Sequence, residues 1–152
     1  MAAITIRPLR SADLAAAAVL LATLNSDTPE ALVAERLQTL LADHAHYQII
    51  GAFSDTILIG VAGAWVATKI WCGRYLEIDN LVVDPIHRSS GVGNRLIRHL
   101  EDVARERDCK IIVLDSYTAN RPSHRLYHRL GFEIWGFHFV KAIGDWKGDG
   151  CE

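Results

Sequence analysis

The segment from residue 74 to residue 107 constrains the fold more than any other part of this 152-residue chain. An apolar, β-rich run, 74–83, stops at Asp84-Pro85. A turn containing Gly91 and Gly93 then opens an amphipathic helical pattern that runs to about residue 107. Proline has no amide to give to a strand ladder, so the strand ends there. A second β-rich run, 110–116, follows the helix. Strand, tight turn, helix and strand in that order form a crossover unit, and a crossover lays its two strands in parallel.

Upstream the pattern changes. Runs 47–53 and 57–68 are apolar and β-rich, and Ser54-Asp55-Thr56 between them predicts a hairpin. Residues 4–9 alternate apolar and polar, as a first strand does. Ser11, with Asp13 in the first turn, is the expected N-cap of an Ala/Leu-rich helix reaching about Leu24. Pro29 starts a second helix that extends to Leu41. Near the end, a helix from about Pro122 to Leu130 stops at Gly131, and two short strands are expected within 132–143. The expectation is an α/β (α+β mixed sheet) fold: a central twisted mixed β-sheet of about six to seven strands flanked by about four helices. Residues 1–143 would make one domain, and 144–152 a polar, glycine-rich, flexible tail.

Charge and composition remove several classes of function. Sixteen Lys and Arg against 18 Asp and Glu leave a formal charge of −2, which is no footprint for nucleic acid or an anionic membrane. The alanine-rich stretch 15–22 is too short to span a bilayer, and no basic region with a long apolar run opens the chain, so a cytoplasmic protein is expected. Cys72, Cys109 and Cys151 have no CxxC spacing and read as free thiols of a reducing compartment. His44 and His46 flank one alanine, and His124 and His128 lack the carboxylate of a HExxH pair, so no metal is expected. Arg95, Arg98, Arg105 and Arg107 among Glu101, Asp102 and Glu106 describe a solvated helix face. Trp65 and Trp71 are placed on strands near the expected acceptor end, as core or dimer contacts, with the lining of an amine pocket as the alternative.

The run Arg88-Ser89-Ser90-Gly91-Val92-Gly93-Asn94 sits where strand passes into helix. Unpaired amides at a helix N-terminus make an anion site, and glycine lets a diphosphate approach the backbone. No Gly-Lys-Ser/Thr follows, and the spacing is not GxGxxG, so it is neither a Walker loop nor a dinucleotide fingerprint. Arg88 to Gly93 resembles the R/Q-x-x-G-x-G/A signature of the GNAT superfamily of acyl-CoA-dependent N-acetyltransferases, and Leu81-Val82-Val83-Asp84-Pro85 matches what precedes it there. The resemblance implies acetyl-CoA as co-substrate, its diphosphate on residues 88–94. Its pantetheine arm would lie along Leu81 and Val83, and the amide region of Leu81 or Val82 would polarise the thioester carbonyl.

A second element, Asn120-Arg-Pro-Ser123-His-Arg-Leu-Tyr127-His-Arg-Leu-Gly131-Phe132, resembles the family's N-x-x-A/S-x-x-x-Y-x-x-x-G-F. By that resemblance Asn120 and Ser123 belong to the cofactor site, Arg129 and Arg125 are candidates for the nucleotide phosphates, and Tyr127 protonates the departing thiolate. A phenol with pKa about 10 can protonate a thiolate whose acid has pKa about 8.5. For the base that deprotonates the amine, Glu77 ranks first, then Asp79, which shares its strand face unless a bulge intervenes, then Asp115. The expected reaction is acetylation of a primary amine on a small molecule. Residues 137–142 and 77–83 look broadly like aminoalkylphosphonate and aminoglycoside acetyltransferases. A protein or peptide N-acetyltransferase and a non-catalytic acetyl-CoA sensor are the alternatives, and the family likeness implies a homodimer.

Overall fold

The computed structural model describes residues 3–24 and 26–146, which fall into two compact units, 1–114 and 115–152. The part of the expected tail from residue 147 onward, with Cys151, lies outside the described residues. The first unit runs β1 (Ile4–Pro8), a 3₁₀ turn (Ser11–Asp13), α1 (Leu14–Ala22), α2 (Glu30–Asp43), β2 (Tyr47–Ser54), β3 (Ile57–Lys69), β4 (Gly73–Val83), a second 3₁₀ turn (Pro85–His87), α3 (Val92–Glu106) and β5 (Ile111–Leu114). The strands form one sheet in the order β1-β2-β3-β4-β5. The first three pairings are antiparallel and β4 with β5 is parallel, which is the mixed α/β sheet that the hairpin and the crossover predict.

Each strand alternates its side chains between two helical layers. On one face, Ala17, Leu20 and Leu21 of α1 and Leu37 of α2 pack with Tyr47, Ile49, Val61 and Val82 of the sheet. On the other lies α3, whose Leu96, Ile97 and Leu100 are fully buried. A Cβ added to Gly60 would lie 3.0 Å from Val92 Cγ1 and 3.2 Å from Leu96 Cδ1, so glycine sets how closely α3 seats on β3. Ser54 pairs with Ile57 across a two-residue turn in which Asp55 takes φ 54°, one of the conformations such hairpins need.

Three expectations are corrected. Ser11 does not cap the first helix; the Asp13 carboxylate does the work there, accepting the Arg10 amide at 2.6 Å and pairing with the Arg7 guanidinium at 2.7 Å. An ionised carboxylate holding two donors makes stronger hydrogen bonds than a serine hydroxyl would. Trp71 is not on a strand but in the turn between β3 and β4. The two strands expected within 132–143 are not formed, so the described sheet has five strands rather than six or seven. Side chains on both parities of that segment, Ile134 and Trp135, Phe139 and Val140, are exposed, so it has no buried face to fix a register.

In the second unit α4 (Arg121–Arg129) ends as its glycine predicts. Gly131 takes φ 90°, its amide donates to the His128 carbonyl at 3.1 Å, and the Phe132 amide donates to the Tyr127 carbonyl at 3.0 Å. That pair of bonds closes the helix on its last orphan carbonyls.

Candidate active site

The candidate site in the first unit is built around an irregularity in β4. Val61 faces Val82 and Gly63 faces Asp79, so Asn80 and Leu81 together oppose the single residue Ala62. This β-bulge puts Asn80 at φ 54°, in the left-handed region that asparagine tolerates better than most residues. The parallel ladder with β5 stops at Ile78 and Leu114. Beyond it, residues 79–83 carry no ladder on that edge among the described residues, which leaves a strand edge open to an extended ligand. Leu81, Val82 and Val83 lie on this open stretch.

From there the chain turns through Asp84, whose side chain accepts the Ile86 amide at 2.9 Å. Ser89 takes φ 64° and Gly91 φ 83°, and α3 begins at Val92. Among the described residues, the amides of Ser89, Ser90, Gly91, Val92, Gly93 and Asn94 donate to no protein acceptor, whereas the Arg95 amide is the first to be taken, by the Gly91 carbonyl at 3.1 Å. No atom lies within 4 Å of where a Gly91 Cβ would sit, so the turn is open on its outer side. Six free donors at the positive end of a helix suit a diphosphate. Arg88 is drawn back toward the strand, Nε donating to the Val83 carbonyl at 3.3 Å, and the Ser90 hydroxyl donates to the His87 carbonyl.

Glu77 opposes Trp65 and Asp79 opposes Gly63, and the bulge falls after Asp79, so the two carboxylates share the face covered by α1 and α2. Both are partly buried. Tyr47 lies on the same face and was not singled out by any motif. Its phenol ring is buried, packs on Trp65 at 4.8 Å between centroids, and lines the same cavity as Asn80. Burial, with the charge of Asp79 behind it, pushes that phenol well above the ordinary tyrosine range. A cavity of about 150 Å³ opens here, between Leu21 and Val33 of the helices and Arg36, Tyr47 and Asn80. Trp65, in contact with Tyr47 and edge-on to His44 at 5.2 Å, is a packing residue of this layer.

In the second unit α4 carries the residues of the second motif. Tyr127 is half-buried, its ring 6.0 Å from that of Phe132, with Ser123 one helical turn earlier. Burial raises its pKa, and Ser123 offsets part of the rise. Asn120 is the N-cap residue of α4 without using its side chain as a cap, and Arg125 and Arg129 are exposed. Asp115 accepts from His138 Nδ1 at 2.8 Å, so the third candidate base already holds a partner. Cys72 and Cys109 are free thiols, and burial pushes the Cys109 thiol up, away from the thiolate a nucleophile needs. No cluster of potential metal ligands occurs among the described residues, and no described helix is long and apolar enough to cross a membrane.

Comparison with known proteins agrees with this geometry. The profile of the acetyltransferase (GNAT) family matches residues 17–132. The chain is 37% identical over 95 residues to streptothricin acetyltransferase of Streptomyces lavendulae, a match covering 62% of this chain and 48% of that one. It is 34% identical over 97 residues to the N-alpha-acetyltransferase RimI of Mycobacterium tuberculosis, covering 64% and 58%. The chain thus spans about half to three-fifths of the length of these relatives. Among solved structures, the aminoglycoside N-acetyltransferase AAC(6')-Iy in complex with CoA superposes with a TM-score of 0.83 at 20% identity, covering 95% of this chain and 97% of that one.

Proposed function

This chain belongs to the acetyltransferase (GNAT) family, and from that premise we propose that it transfers the acetyl group of acetyl-CoA to the primary amine of a small molecule. The observation that carries the reading is the row of six undonated amides at residues 89–94, set directly after the open β4 edge. The first suits the diphosphate, the second the amide-bearing pantetheine arm, and both occur in the order such a molecule would need.

In this reading the amine loses its proton to Glu77 or Asp79, directly or through water, and attacks the thioester carbonyl with no covalent enzyme intermediate. The backbone amides of Leu81 and Val82 next to the bulge are the donors to the oxyanion, and one such donor is worth about 3 kcal/mol. Tyr127 gives its proton to the thiolate, with Asn120, Ser123 and Arg129 holding the cofactor. A small acceptor is supported by the modest cavity beside Asn80 and by the streptothricin relative. The RimI relative favours a second reading, acetylation of a protein N-terminus. Transfer to small amines but not to peptides decides for the first.

Calorimetric titration with acetyl-CoA tests the central claim. The intact protein binds, and Gly91→Glu, which sets a carboxylate against the diphosphate, weakens binding by roughly 100-fold, or about 2.8 kcal/mol. No binding to the folded intact protein overturns the reading. We also propose a cytoplasmic homodimer, for which the free thiols and the exposed apolar side chains of Phe137 and Phe139 speak.

A further inference from the structure

We infer that Tyr47 is a positioning residue for acetyl transfer: reaching across β3 over Gly63, its hydroxyl holds Asn80 and so fixes the β4 bulge that aims the Leu81 and Val82 amides. This rests on the proposed activity for its catalytic consequence, but not for the contact itself.

The geometry starts from register. Tyr47 on β2 pairs with Trp65 on β3, and Ile49 pairs with Gly63, so Tyr47 and Gly63 are diagonal neighbours on one face. Gly63 in turn faces Asp79 on β4. A side chain on β2 can reach β4 only by passing over β3, about one strand spacing further than a cross-strand neighbour. Gly63 makes that passage possible. A Cβ there would overlap the Tyr47 hydroxyl, would lie 2.8 Å from its ring Cζ, and would stand 3.1 Å from the Asp79 carbonyl oxygen. Trp65, stacked at 55° against the ring, blocks the opposite direction. Tyr47 is 7% exposed, under the α1 and α2 layer, and lines the same cavity as Asn80, so its hydroxyl, passing over Gly63, has the bulge for a neighbour.

The neighbour it reaches is Asn80, the one left-handed residue other than glycine within the described strands, and it sits in the bulge itself. A left-handed residue in a strand persists only where its surroundings hold it. Without the hydroxyl, the bulge can relax or slide along β4, and each step of such a slip turns the following amides to the other edge. Family-like motifs do not reach Tyr47, which lies some 30 residues ahead of the first of them in the sequence, so only the folded sheet brings it to the site.

Tyr47→Phe keeps the ring and its packing and removes the hydroxyl alone. Backbone amide exchange of residues 80–82 should speed up about tenfold in this variant, while residues 49–52 of β2 keep their rates. Thiol release from acetyl-CoA with an amine acceptor should show kcat lowered about tenfold and KM for acetyl-CoA within about twofold, the pattern of a misdirected donor rather than lost binding. Unchanged exchange at 80–82 overturns the contact. Accelerated exchange with unchanged kcat overturns its role in turnover. An inactive parent protein whose variant still exchanges faster condemns the acetyl-transfer reading and supports Tyr47 as the holder of the bulge. Asn80→Ala should produce the same exchange pattern, and Tyr47→Phe added to it should change nothing further; additive effects overturn the pairing.

Discussion

Burial pushes the Tyr127 phenol above its ordinary value, and Ser123 takes back part of that rise. A raised pKa keeps the proton in place at neutral pH, which is the state a general acid needs, so the alkaline limb of kcat should lie above that expected of an ordinary tyrosine. Tyr127→Phe should lower kcat for an amine acceptor by about 10²–10⁴-fold and leave acetyl-CoA binding intact, as turnover and titration run side by side would show. Normal turnover would remove Tyr127 from the mechanism. At this scale the sequence spoke through spacing. Arg88 to Gly93 and Asn120 to Phe132 are local patterns, and the turn and the helix they predict are where they should be. Tyr47 and Asn80 were silent because their meaning lies in a diagonal contact and a backbone angle, neither of which leaves a pattern along the chain.

Between β1 and α1 the chain turns on one carboxylate. Asp13 binds the Arg7 guanidinium and the Arg10 amide, and the Arg7 hydrogen bond, followed by that of Arg10, holds it down to about 2 from the ordinary 3.8. A carboxylate so depressed stabilises the fold in full above its unfolded value, and that share is lost as pH falls through about 2. Asp13→Asn should therefore lower the melting temperature by about 2–4 °C near neutrality. The gap should close as the pH approaches 2, and a gap that stays constant with pH would show that the charge is not its cause. Elements with a strong period were legible: the hairpin, α3 and its following strand all stand within a few residues of the pattern that announces them. The strands expected in 132–143 were read from β-propensity, and propensity without a buried face does not select a strand.

For the molecule as a whole, the exposed run that failed to become strand carries large apolar side chains in the open, with Phe137 85% and Phe139 92% exposed. A homodimer that covers it predicts a mass by light scattering of twice the 16.9 kDa chain. Replacing both phenylalanines with glutamate should return the single-chain mass, and a monomer at every concentration of the intact protein would end the proposal. The topology of the sheet carries a further consequence, for the order in which the chain assembles. β2, β3 and β4 are joined by short hairpins, so their ladders close small loops, whereas β5 reaches β4 only after the whole of α3 has been traversed. Loop closure grows costlier with length and the first turn of a helix is its hardest step, so the meander of hairpins is favoured to form early and the crossover late. The row of free amides proposed to receive acetyl-CoA exists only once α3 has a beginning. On that proposal a nascent chain acquires its capacity to bind at the end of folding, and acetyl-CoA, by mass action, draws that last step to completion.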